Sequence, residues 1–169
     1  MVGLQYEVRL RPMTTQQGRS NVRIFPPLIQ ILAIAFSFVV QWVIPVRILG
    51  ISRRLTLFAG WVLILAAAWI ITWTARLMFR VGTTPDPTRP ATVLVVDGPF
   101  RFTRNPMYLS WELVCIGVGL AANVWWPIVM AVPAAFVTRL LVINEEESYL
   151  ERRFGAEYGD YKARVRRWV

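Results

Sequence analysis

At 169 residues the chain has room for one domain, and its 56% share of hydrophobic residues is too high for an ordinary soluble domain of that size. The formal charge of +9 would suit a nucleic-acid binder, yet the arginines sit between and after long apolar runs rather than on one polar face, which marks them as membrane-flanking charges and argues against a nucleic-acid partner. Histidine is absent and Cys115 is the only cysteine, which excludes imidazole bases, Ser-His and Cys-His nucleophile systems and an internal disulfide, and leaves no expected metal site.

In chain order, residues 1–23 form a basic arm carrying Arg9, Arg11, Arg19 and Arg23, and residues 24–169 form a single membrane domain. The first apolar run spans 24–44 and the second 55–75, each long enough to cross a hydrocarbon core of roughly 30 Å. The first starts too late and runs too long for a cleavable signal peptide. From 81 to 106 the chain is rich in Pro, Gly and Thr, with a β-like run at Thr92–Val96 followed by an Asp97-Gly98-Pro99 turn signal. A third apolar segment, 108–123, carries Glu112, and a fourth, 125–143, contains Pro133 and ends near Arg139. The short link Asn123–Pro127 predicts a helical hairpin between them, with Trp125 and Trp126 in an interfacial aromatic belt.

The tail, 144–169, turns charged. Leu150, Phe154, Tyr158, Tyr161, Val165 and Trp168 recur at steps of three and four, and Gly155 interrupts them, so two short amphipathic helices along the membrane surface are predicted. The expected fold is therefore an all-α integral membrane protein. It has about four transmembrane helices, a short β-like cytoplasmic loop and C-terminal amphipathic helices. The positive-inside rule places both termini in the cytoplasm, although Arg47, Arg53 and Arg54 in the 47–54 loop run against it.

Polar groups near a bilayer are costly, so they are the first functional candidates. Glu145, Glu146 and Glu147 either form a solvated helix face or aim a carboxylate at a cation such as the ammonium of an amino-acid-like ligand. Arg101, Thr103, Arg104, Asn105 and Tyr108 form either an interfacial anchor or the floor of a pocket in which arginine holds a carboxylate. Gly117 and Gly119 suit close helix packing, or the approach of a flat ligand to the backbone. Glu112 is either a buried, paired carboxylate or the lining of a substrate cavity.

The ordered run Gly98-Pro-Phe-Arg-Phe-Thr-Arg-Asn-Pro-Met-Tyr108, then Gly-Val-Gly, then Glu-Glu, then Leu150…Phe154-Gly155…Tyr158…Tyr161…Val165-Arg-Arg-Trp168, resembles the isoprenylcysteine carboxyl methyltransferase and phospholipid methyltransferase superfamily over about residues 92–168. The resemblance implies a membrane-embedded methyltransferase that uses S-adenosylmethionine without a Rossmann domain, its cofactor pocket lying between the last helices and the cytoplasmic tail. Arg104, Asn105, Pro106 and Tyr108 fall on the superfamily's Arg-His-Pro-x-Tyr motif. Gly117 and Gly119 fall on its glycine pair near the adenosyl part, and Glu145 and Glu146 on the paired glutamates at the cofactor's amino-acid end. Arg164 and Arg167 fall where members hold basic residues near cofactor or substrate, so Arg167 is a catalytic candidate. Asn105 replaces the usual histidine and cannot take a proton at neutral pH. Glu112 or a glutamate of 145–147 is then the candidate base for an amine acceptor, while a carboxylate or thiolate acceptor needs none.

The expected acceptor is lipid-like or a small apolar molecule reaching the site from the bilayer. With Lys162 as the sole lysine, the arginine bias points to a bacterial inner membrane and away from a prenylated protein. Two other classes compete: a non-catalytic membrane scaffold or lipid-binding protein keeping the fold, and a small transporter subunit in which Glu112 and Arg139 line a pathway.

Overall fold

A computed structural model describes residues 25–86 and 89–168, so the basic arm expected over residues 1–23 lies outside the described residues. Six α-helices follow one another: α1 (Pro27–Val43), α2 (Arg53–Arg80), α3 (Pro106–Ala122), α4 (Trp126–Thr138), α5 (Asn144–Phe154) and α6 (Ala156–Arg164). A 3-10 turn at Gly98–Arg101 precedes α3, and a π turn at Arg139–Ile143 joins α4 to α5 without a break. Each of the four apolar runs has become a helix. Two helices, Arg53–Arg80 and the continuous Trp126–Phe154, are long and apolar enough to cross a membrane, while α1 and α3 have 17 residues each.

One local expectation is corrected. Thr92–Val96 forms no strand, and among the described residues the only β pairing is an isolated bridge between Arg47 and Val124. Its β-branched residues lack a partner strand with which to build a ladder. Thr92 instead donates its hydroxyl to the Gly82 carbonyl at 2.7 Å, and the Ala91 amide donates to the Tyr149 hydroxyl at 3.0 Å. The loop is thus sewn to the end of α2 and to α5.

The helices pack in the order α2, α3, α4, α1, with α2 against α3 the closest pair. Small residues make that approach possible: a Cβ on Gly60 would stand 2.5 Å from the Ala121 amide nitrogen, and one on Gly117 would stand 2.9 Å from the Gly60 carbonyl oxygen. The faces turned inward are small or polar, including Ser37, Ala67, Thr74, Ser110, Ala131 and Ala134. Large apolar side chains point outward instead: Phe58 is 68% exposed, Trp69 62% and Val132 72%. A soluble domain does the reverse.

The ends of the bundle are tied differently. At one end the Trp125 amide donates to the Val46 carbonyl and the Trp126 indole to the Ile44 carbonyl, so the 44–48 loop and the α3–α4 link meet. That link is the tight one expected, with Asn123 in the left-handed region at φ 60°. At the other end lie the 81–105 loop, α5, α6 and the extended residues after Arg164. Gly155, at φ 54° and ψ −124°, turns α5 into α6, a backbone state that disfavours any side chain. The two short C-terminal helices therefore fold back over the start of α3, where the candidate site lies.

Candidate functional site

A cavity of about 700 Å³ opens at this second end. Its polar wall comprises Arg104, Asn105, Tyr108, Glu146, Glu147 and Tyr158. Its apolar wall is built by Phe25 and Pro26 before α1, Ile71 and Met78 of α2, Val93 and Leu94 of the loop, and Met107 and Trp111 of α3. The volume is that of an ordinary small-molecule site.

The polar side starts from the helix turn that opens α3. Pro106 occupies the first helical turn, where its missing N–H costs nothing. Tyr108, two residues on, donates its hydroxyl to Glu146 Oε2 at 2.6 Å. Burial raises the Glu146 carboxyl above the usual carboxylate range; the Tyr108 hydroxyl partly offsets this, and the neighbouring Glu147 adds to it.

Glu147 lies deeper, its side chain only 7% exposed. Arg167 grips it bidentately, Nε to Oε1 at 3.0 Å and Nη2 to Oε2 at 2.6 Å, a geometry that holds the guanidinium charged. Arg104 reaches the same carboxylate with Nη2 alone, at 3.5 Å from Oε1. Its side chain is 10% exposed, and its Nε and Nη1 are buried without a hydrogen-bond partner. Buried guanidinium nitrogens are costly to leave unpaired, so these two are open to a hydrogen-bond acceptor.

The chain's last described residues hold this arrangement together. The Arg104 amide donates to the Arg166 carbonyl at 3.0 Å. The Thr103 hydroxyl and Asn105 Nδ2 both donate to the Arg167 carbonyl, at 2.9 and 3.0 Å. From α6, Tyr161 donates its hydroxyl to the Phe100 carbonyl at 2.8 Å, and Tyr158 is fully buried beside it. Burial lifts both phenols above their usual range, so they remain neutral donors at neutral pH.

Of the ten residues expected at the site, the structure brings Arg104, Asn105, Pro106, Tyr108 and Glu146 into one cavity wall. Arg167 stands directly behind that wall, on Glu147. Glu145 is exposed and faces away. Gly117 and Gly119 lie outside the cavity: a Cβ on the first would strike Ile64 and Gly60 of α2, and one on the second Ile128 of α4, so both positions serve helix packing. Glu112 is also outside it, buried in the bundle, where Gln30 Nε2 donates to its Oε1 at 2.9 Å and to Thr138 Oγ1 at 2.8 Å. Arg164 is exposed and bonds the Asp160 carbonyl.

Glu147 is the residue that sequence reasoning under-rated. The apolar stripe gives the signal: stepping back three and four residues from Leu150 reaches Glu147 and Glu146, not Glu145. Nothing in the local pattern points to Gln30, which matters through a contact 82 positions away.

A model of the phospholipid methyltransferase family matches residues 55–157, from the first turn of α2 into α6. An uncharacterized protein of Haemophilus influenzae is 41% identical over 68 residues, taking in 37% of this chain and 100% of that protein. No solved structure matches.

Proposed function

The chain belongs to the phospholipid methyltransferase family, whose members are methyltransferases, and on that premise we propose that it is an integral membrane methyltransferase using S-adenosylmethionine and acting on a lipid-like or small apolar acceptor. In this reading all four apolar helices cross the bilayer, the cavity end faces the cytoplasm, and the membrane is a bacterial inner membrane. The observation that carries it is the Arg104 guanidinium, buried with two unsatisfied nitrogens in a cavity wall that also holds the carboxylate of Glu146.

The residues present fit the amino-acid end of such a cofactor. A carboxylate suits Arg104 Nε and Nη1, and an ammonium suits Glu146, which forms no ion pair among the described residues. When bound, S-adenosylmethionine supplies an electrophilic methyl group on a sulfonium, transferred by direct displacement. The protein's part is then alignment and water exclusion, which can lower such a barrier by roughly 7–11 kcal/mol. Tyr108 fixes the Glu146 carboxylate, Pro106 fixes the start of the helix carrying Tyr108, and Met78, Met107 and Trp111 keep one side of the cavity dry.

The test is calorimetric titration of the detergent-solubilised protein, and of the protein in lipid nanodiscs, with S-adenosylhomocysteine. Saturable binding is expected, weakened about tenfold or more by Glu146→Gln and untouched by Glu145→Gln. A well-folded wild type that binds nothing in either medium would sink the enzyme reading and leave the scaffold alternative.

A further inference from the structure

The Arg104–Glu147–Arg167 cluster holds two guanidiniums and one carboxylate, so it is one negative charge short in a largely buried setting. The division of labour inside it is unequal. Arg167 occupies both oxygens of Glu147 in fork geometry, while Arg104 keeps a single long contact and two free nitrogens. The backbone of Arg167 is held in place, because its carbonyl accepts from Thr103 and Asn105, the residues on either side of Arg104.

We propose that Arg167 is a positioning residue: by taking both oxygens of Glu147 it keeps that carboxylate from closing onto Arg104, and so leaves the Arg104 guanidinium free for the carboxylate of the cofactor's amino-acid end. The inference rests on the cofactor site proposed above. It places Arg167 behind the wall, not against the reacting atoms. Asn105, standing where the superfamily has histidine, has an amide that does not titrate, and its Nδ2–H anchors the backbone of Arg167.

Without the Arg167 side chain, Glu147 turns its released oxygen to Arg104, the nearest remaining cation, and fills the place of the ligand carboxylate. Arg167→Ala should then weaken S-adenosylhomocysteine binding about tenfold or more. Adding Glu147→Gln to Arg167→Ala removes the competing charge and should restore most of the lost affinity. Methylthioadenosine, which lacks the amino-acid end, should bind wild type and Arg167→Ala alike.

Each variant is first melted by tryptophan fluorescence; if Arg167→Ala melts early, Arg167→Gln takes its place with the same expectations. A double variant as weak as the single one overturns the proposal, as does an equal loss for methylthioadenosine, which would point to general damage. Absence of S-adenosylhomocysteine binding by the wild type is a different result, because it removes the cofactor reading itself.

Discussion

Glu146 and Glu145 are neighbours with opposite fates, because a helix turns about 100° per residue and only one of them faces the cavity. The raised pKa of Glu146 has a consequence that can be signed. An ammonium group needs the ionised carboxylate, so affinity for S-adenosylhomocysteine should be full at pH values above that raised pKa and fall as pH drops through it. Titrations from about pH 8 down to about pH 5 should show the loss starting at a higher pH than an ordinary carboxylate would give, approaching tenfold per unit, while Glu146→Gln stays weak and nearly flat. At this scale some of the residues expected at the site meet in the cavity wall and their close neighbours do not. Arg104, Asn105, Pro106 and Tyr108 share one wall because they lie in one short stretch around the proline that opens α3. Glu147 required the phase of a helix, and the tie from Asn105 to Arg167 spans 62 positions, beyond any local pattern.

Hydrophobic length located the helices well, since uninterrupted apolar runs of this kind have few other outcomes. Their ends followed less well: α2 continues to Arg80, past the apolar stretch expected to end at 75, because helical hydrogen bonding carries on into polar residues such as Arg76. The Thr92–Val96 run misled for a simple reason, as β-branched residues favour a strand only when another strand is present. The same limit applies to Gly117 and Gly119, whose spacing suits a ligand and a helix neighbour equally until the neighbour is seen. The α2–α3 contact is tightest at Gly60, where the obstructing atoms are backbone. Gly60→Ala should therefore force the helices apart and destabilise the fold by roughly 1–3 kcal/mol. A lowered thermal midpoint in detergent, with cofactor affinity of the folded protein retained, is the expected result; an unchanged midpoint would contradict this packing.

The molecule as a whole is turned inside out, its bulky apolar side chains outward and its hydroxyls, glycines and the Gln30–Glu112–Thr138 cluster inward. This was legible only as total hydrophobicity; which faces pair is a property of the assembled bundle. The two ends divide their work accordingly. One is closed by loop-to-loop hydrogen bonds, and the other is closed by residues 165–168 over the start of α3. Deleting residues 165–169 should leave the helical circular dichroism nearly intact while abolishing S-adenosylhomocysteine binding, because the backbone partners of Thr103, Arg104 and Asn105 go with them. Retained binding in that variant would show the closure to be dispensable.

That closure also sets an order of events during synthesis. Residues 103–105 are made more than sixty positions before the carbonyls that will hold them, with α3, α4, α5 and α6 all translated in between. Contacts so distant in sequence form late, after the intervening segments have found their places. A ribosome-bound chain can thus have its helices formed while the polar wall of the cavity is still unassembled. The cavity wall is complete only once residues 166 and 167 are in place, so chains lacking them would keep their helices without holding residues 103–105 in position.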